Sequence, residues 1–248
     1  MTSELISLRL LLVFRLAAER DLLRQGASLA SVPVEIIEAD GVAAAESLLA
    51  KSGFDLILLD ANFPRADKAA ISKAARAAKE GPFVVVIGRN EEGIDVDGSV
   101  NKPATVDEAQ STVERCIRTR LPTQVLVVDD SQTMRSIVRK ILSASKFPLR
   151  ISEADEGTKA LQELRNGAFD IVFLDYNMPG LNGFETLSEL RREHPHVAAV
   201  IMTSTDREDL AERAQQAGAA AFLKKPFFPV DIDAVLYGFY QLEPPSKA

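Results

Sequence analysis

Short apolar runs alternate with stretches whose apolar residues recur at helical spacing, and the alternation is written twice along the chain. In the second half, residues 124–128 form a continuous apolar run of the fully buried strand kind. Residues 134–145 place Ile137, Val138, Ile141 and Leu142 on one helical face. Further strands are predicted over 150–153, 170–174, 198–202 and 220–223, with helices over 158–166, 184–193 and 207–217 between them. Gly218 ends the third of these helices, and a last helix over 230–242 is stopped by Pro244 and Pro245. Five strands alternating with five helices imply βαβ units, an α/β fold and a parallel sheet covered on both faces.

The first half opens on an apolar strand at residues 10–14 and follows the same order. Phe14 to Asp60 spans 46 positions, as does Asp129 to Asp175; Asp60 to Gly88 spans 28, as does Asp175 to Thr203. Then the copies part. Gly88 to Lys102 is 14 positions, whereas Thr203 to Lys225 is 22. The missing residues fall where the second half carries its fourth helix. What remains, residues 89–97, contains Gly93 and is too short for a helix with two connections. The fourth helix of the first copy is therefore predicted to be absent or reduced to a turn.

Thr105-Val-Asp-Glu108 has capping-box form and opens the last helix of that half. Val106, Ala109, Val113, Cys116 and Ile117 make its expected buried stripe, so Cys116 reads as a core residue and not a reactive thiol. That helix ends before Pro122. The predicted layout is a domain over 1–118, a linker over 119–123 and a domain over 124–243, with a short frayed tail after Leu242. So short a connector predicts that the domains stay close and pack together.

Bulk properties narrow the class. The 248 residues are 46% hydrophobic and 26% charged, ordinary for two globular domains. A net charge of −7 argues against a nucleic-acid partner, whose phosphates call for a basic surface. One cysteine makes no internal disulfide, which points to a reducing cytoplasm. The apolar stretch between Arg9 and Arg15 is too short for a signal-peptide core or a membrane span. His194 and His196 flank Pro195 in a loop and read as surface residues. Tyr237, Phe239 and Tyr240 exceed what one helix face buries, leaving one or two for an interface.

The chemistry lies at strand ends. In a parallel sheet the functional edge is the carboxyl edge. Asp129 and Asp130 end the first strand of the second half, Asp175 the third, Thr203 the fourth and Lys225 the fifth. A lone aspartate there is an ordinary cap or turn residue. Three converging carboxylates are different, since two charges about 4 Å apart cost roughly 4 kcal/mol at an effective dielectric of about 20. Such a cluster calls for a divalent cation, and hard oxygen ligands suit Mg²⁺. With the mobile charge of Lys225 and the hydroxyl of Thr203, it forms a site for a phosphoryl group carried on a carboxylate.

With Val-Val-Asp129-Asp130-Ser-Gln-Thr-Met-Arg, Phe-Leu-Asp175-Tyr-Asn-Met-Pro-Gly and Phe222-Leu-Lys-Lys225-Pro, the second half resembles a CheY-type receiver domain of two-component signalling. The likeness covers about Thr123 to Leu242. It implies a flavodoxin-like, doubly wound sheet of five parallel strands in the order 2-1-3-4-5, and the repeat extends that fold to the first half. It implies that Asp175 accepts a phosphoryl group from a histidine kinase or a histidine phosphotransfer protein. Asp130 would bind Mg²⁺ directly and Asp129 through water, with Asp175 and the backbone carbonyl of Asn177 completing the metal site. Lys225 would pair with the phosphoryl oxygens, Thr203 would hydrogen-bond them, and Phe222 would rotate inward as Thr203 moves. Asn177 and Thr205 occupy the positions that tune self-dephosphorylation. Ser204 stands where an alanine is usual, and Phe222 lacks the hydroxyl of a tyrosine switch.

The first copy has lost this set: Phe14 and Arg15 replace the acid pair and Gly88 the hydroxyl, while Asp60 and Lys102 remain. It resembles a pseudo-receiver. Either Arg15 or Lys102 pairs with Asp60 where a metal would stand, or Asp60 is a leftover turn residue. The use left to such a domain is binding, to the second domain, to a second copy of the chain as a homodimer, or to a kinase. The expected whole is a cytoplasmic stand-alone response regulator with no enzymatic activity beyond Mg²⁺-dependent self-phosphorylation and self-dephosphorylation. Because the chain stops after the last receiver helix, output through a downstream protein partner or onward phosphotransfer is expected, with no nucleic acid or membrane partner. A scaffold independent of phosphorylation is the alternative. A phosphohydrolase of the haloacid-dehalogenase kind is disfavoured, since it carries a second acid two positions after the nucleophile, where this chain has Asn177.

Overall fold

The structure is a computed structural model that describes residues 7–207 and 209–245. The chain divides into two compact units: one runs to Leu121 and takes in the segment from Tyr240, the other is Pro122–Phe239.

In the first unit the order is β1 (Leu8–Val13), α1 (Ala17–Ser28), β2 (Val34–Ala39), α2 (Val42–Lys51), β3 (Leu56–Asp60), α3 (Arg65–Ala77), β4 (Phe83–Ile87), β5 (Gly98–Val100) and α4 (Val106–Arg118). The strands pair in parallel as β2-β1-β3-β4-β5. Every residue of β3 and β4 is buried, which is why these strands are unbroken apolar runs. No helix lies between β4 and β5, as the spacing predicts. Ile94 and Val96 of that connection enter the core in its stead. Arg76 of α3 ties the connection down by ion pairs to Asp95 at 3.0 Å and Asp97 at 2.8 Å.

The α4 cap forms with one change: Thr105 accepts from the Glu108 N–H, but the Glu108 carboxylate reaches back to Ala104 N–H, one residue before the expected partner. The buried stripe of α4 also differs by one residue. Thr112 is buried, and Val106, at the first turn, is half-buried. Cys116 is fully enclosed, and desolvation by burial pushes its thiol up to about 12. It is expected to stay unmodified by a thiol reagent near pH 8 and to react only on unfolding. Native-state labelling at the rate of a free cysteine would contradict this.

The second unit runs β6 (Thr123–Val128), α5 (Gln132–Ser143), β7 (Leu149–Ala154), α6 (Gly157–Asn166), β8 (Ile171–Asp175), α7 (Gly183–Glu193), β9 (Ala198–Thr203), α8 (Leu210–Gln216), β10 (Ala221–Lys224) and α9 (Pro229–Tyr240). Its strands lie in the order β10-β9-β8-β6-β7, the same 2-1-3-4-5 topology read from the other edge. All pairings are parallel.

Several elements depart from what the sequence predicts. The helix expected over 207–217 is seen as α8 over Leu210–Gln216, and residue 208 of that expected helix lies outside the described residues. On α5 the buried residues are Val138 and Leu142; Ile137, placed with them by periodicity, is 43% exposed. The last helix stops at Tyr240, two residues early, because Gln241 turns into the left-handed region at φ 55°. Nor is the tail frayed at Glu243, which exchanges two backbone hydrogen bonds with Ser99 and thus belongs with the first unit. Of the three aromatics on α9, Tyr237 and Tyr240 are buried and Phe239 is half-buried.

Candidate functional site

At the carboxyl edge of the second sheet, Asp129 and Asp130 directly follow the end of β6, and β8 ends on Asp175. Carboxylate oxygens of all three lie within 4.8 Å of one another, the one such group of acids, histidines or cysteines among the described residues. Asp129 and Asp175 are buried, and Asp130 is exposed. Lys225, just beyond β10, bridges the buried pair with its ammonium 2.7 Å from Asp129 and 2.8 Å from Asp175. Burial works against the lysine's charge, but the hydrogen bonds to Asp129 and Asp175 outweigh it and hold its pKa above the usual value. Burial raises the Asp175 carboxyl above the usual carboxylate range, and Lys225 opposes the shift without cancelling it.

Asp175 keeps its proton to higher pH in the folded chain than in the unfolded one, so raising the pH between those two values lowers stability. Lys225 contributes stability in full below the unfolded lysine value and loses it as pH climbs through its raised one.

Thr203, at the end of β9, is fully buried, and its hydroxyl oxygen accepts from the Asn177 side-chain amide at 3.3 Å and from Thr205 N–H at 3.0 Å. Thr205 and Asn177 are also joined directly at 2.9 Å. Phe222 is half-buried against the core, and Ser204 is exposed. One side of the acidic cluster is apolar: Met134, Ile137, Pro226 and Phe227 line the hollow that holds the three aspartates and Lys225. Ile137 is exposed because it faces this hollow and not the core.

Two positioning groups escaped the sequence reading. Arg135 donates to the Asp129 backbone carbonyl at 2.7 Å and pairs with Glu153 on β7 at 3.1 Å, fixing the strand end that presents the acids. In the first unit Arg20 does the same, donating to the Phe14 carbonyl at 2.6 Å and pairing with Glu38 at 3.0 Å. Asp170 accepts from Gln124 N–H as Asp55 accepts from Arg9 N–H, both at 2.8 Å. All six residues recur at the constant offset of 115 positions between the copies, and that recurrence was the readable signal.

In the first unit the same edge is closed differently. Phe14 is fully buried. Lys102 meets Asp60 at 3.1 Å and also Glu19 at 2.6 Å, a partner the sequence reading missed. Burial opposes the Lys102 charge, and the bonds to Glu19 and Asp60 overcome it and raise its pKa. Arg15, the other expected partner of Asp60, pairs instead with Asp67 at 2.8 Å and lies over the Phe63 ring, 4.8 Å from its centroid. Gly88, at the hydroxyl position, has φ +116°, and a Cβ there would come within 2.7 Å of Ala61. A threonine does not fit this backbone.

The fold and this sheet edge define the class, a doubly wound α/β module of the CheY-like kind. A profile of the response regulator receiver domain matches residues 125–237. Chemotaxis protein CheY of Pseudomonas aeruginosa is 37% identical over 106 residues, covering 42% of this chain and 85% of that protein. Chemotaxis protein CheY-3 of Vibrio cholerae is 38% identical over 106 residues, 42% of this chain and 81% of that one. A solved structure of a probable two-component system response regulator/GGDEF domain protein aligns with 95% of this chain and 98% of its own, at a TM-score of 0.55 and 23% identity. That last likeness is one of fold, and it spans both units. The chain belongs to the response regulator receiver family, and its second unit is a CheY-like receiver domain.

Proposed function

We propose that the chain is a two-component response regulator that is phosphorylated on Asp175 by a histidine kinase or a phosphotransfer protein and acts through protein contacts. The observation that carries this reading is the Lys225 ammonium seated between Asp129 and Asp175 beside a third, exposed carboxylate. An Asp175 oxygen forms the new bond to phosphorus as the donor's nitrogen–phosphorus bond breaks and its imidazole leaves. Lys225 then turns from the Asp175 carboxylate to the phosphoryl oxygens, and the Thr203 hydroxyl exchanges its Asn177 partner for the new group. The donor set is all hard oxygen and carries one cation for three acids, which fits Mg²⁺ held by Asp129, Asp130, Asp175 and the Asn177 carbonyl. When bound, the ion supplies the positive charge that offsets the phosphoryl oxygens.

Movement of Thr203 and Phe222 shifts a two-state equilibrium read on the α8, β10 and α9 face. The incoming donor docks on the apolar rim of Met134, Ile137 and Phe227, because in-line transfer to Asp175 brings it against that rim. In the first unit Lys102 fills the place of the metal and holds Asp60, so that unit is a pseudo-receiver that is not phosphorylated and serves as a binding module.

A magnesium titration tests the metal reading. Mg²⁺ at about 100 times its Kd is expected to stabilise the folded chain by about 2.7 kcal/mol. Asp130→Ala is expected to weaken Mg²⁺ binding at least about tenfold, or 1.4 kcal/mol, with little cost to the metal-free fold because Asp130 is exposed. Unchanged Mg²⁺ affinity in that variant would remove the acid cluster from the metal site.

A further inference from the structure

The edge strand of the first sheet is unusual in its cover. All three residues of β5, Gly98, Ser99 and Val100, are buried, whereas its counterpart β10 in the second sheet shows only one buried residue of four. Bare edges present unpaired backbone groups and are commonly exposed. In β5 the inward side is taken by β4 and its loop: Asp97 N–H donates to Val84 and Gly88 N–H to the Val100 carbonyl. Ser99 is the residue whose backbone faces outward, and both of its groups are occupied by Glu243. Ser99 N–H donates to the Glu243 carbonyl at 3.0 Å, and the Ser99 carbonyl accepts in return from Glu243 N–H at 2.9 Å. The pairing is antiparallel, the Ser99 hydroxyl lies 3.5 Å from the Glu243 carboxylate, and Leu242 beside it is buried.

The repeat gives this position meaning. From Lys102 to Lys225 the copies are offset by 123, so Ser99 stands at the place of Phe222, the aromatic beside the site in the receiver. In the copy that lost its chemistry, the residue at the aromatic's position has become the acceptor of an added strand.

We propose that the β5 edge of the first unit is a strand-docking site for the chain's own C-terminal tail, and that the pseudo-receiver thereby tethers the end of α9. Recognition is by backbone pairing, with the Leu242 side chain buried beside it. The turn at Gln241 is what frees the chain from the helix to reach the edge. This tether requires neither Asp175 nor a phosphoryl group, so it stands or falls apart from the function proposed above.

A cysteine pair tests it directly. Residues that exchange both hydrogen bonds across antiparallel strands sit with Cα atoms about 5.5 Å apart, within disulfide range. The full chain carrying Ser99→Cys and Glu243→Cys is expected to form an intramolecular disulfide at monomer mass on mild oxidation, while enclosed Cys116 stays apart. Failure to cross-link, or cross-linked dimers alone, would overturn the proposal, the dimers by showing that the tail comes from a second copy. As an independent arm, Glu243→Pro removes one donor and unseats the strand. The Ser99 amide is expected to exchange with deuterium roughly tenfold faster or more in this variant. An unchanged rate would equally overturn it.

Discussion

Replacing Asp175 with alanine is expected to abolish Mg²⁺-dependent uptake of a phosphoryl group from a small acyl phosphate donor. Asp175 ends β8 and sits 2.8 Å from the Lys225 ammonium, in the hollow that Met134 and Phe227 flank. Its buried neighbour cannot take over easily: Asp129 is 1% exposed and engaged by Lys225 and by the Ser131 N–H. Asp60→Ala is expected to leave uptake unchanged, because Lys102 already occupies that carboxylate and no acid pair stands beside it. Incorporation of labelled phosphate followed by peptide mapping reads both. Label retained in the Asp175 variant at the wild-type level would end the phosphoacceptor assignment, and label on Asp60 would end the pseudo-receiver assignment. A partner whose binding is the same for wild type and Asp175→Ala would favour the scaffold reading over a switch.

The second large effect is structural. Gly26 lies where α1 meets α4, and a Cβ there would fall 2.5 Å from the Ala109 carbonyl carbon and from the Gln110 nitrogen. Those are backbone atoms, so the two helices have to move apart for any side chain. Gly26→Val is expected to destabilise the first unit by roughly 3 kcal/mol, against a gain in helix propensity of less than about 1 kcal/mol. That is a fall of roughly 10 °C in the transition the unit contributes to thermal unfolding. Differential scanning calorimetry resolves it, and a variant as stable as wild type would mean that α1 and α4 are not in close contact. Gly26→Ala, with a smaller clash and a larger propensity gain, is expected to lie between.

Much of this was legible in advance because the signals are local or periodic. Apolar runs mark buried parallel strands, and the matching intervals of 46 and 28 positions align the copies without reference to structure. The shortfall before Lys102 forecasts a missing helix, since a helix needs length whatever surrounds it. The site acids were legible for the same reason: a parallel sheet sends all its strand ends to one edge. What escaped were choices between near-equal partners. Asp60 had Arg15 and Lys102 within reach, and only the path of each side chain selected Lys102, with Arg15 turned to Asp67 and the Phe63 ring. Glu19 was invisible because a helical glutamate has no signature until the lysine is placed beside it. Ile137 satisfied the helical period of α5 yet faces the hollow, since a stripe found by periodicity is wider than the face that the sheet covers.

The sequence alone determined two α/β receiver folds, their alignment and the acids and lysine that converge on one sheet edge, because strand burial, helix length and residue type are properties of short stretches. Tertiary structure decided which charges meet, which hydrophobic residue turns outward and where the tail goes. Pairing between segments far apart, such as Ser99 with Glu243, leaves no trace in local pattern: a backbone edge accepts any extended strand, and only the folded path of the chain brings one to it.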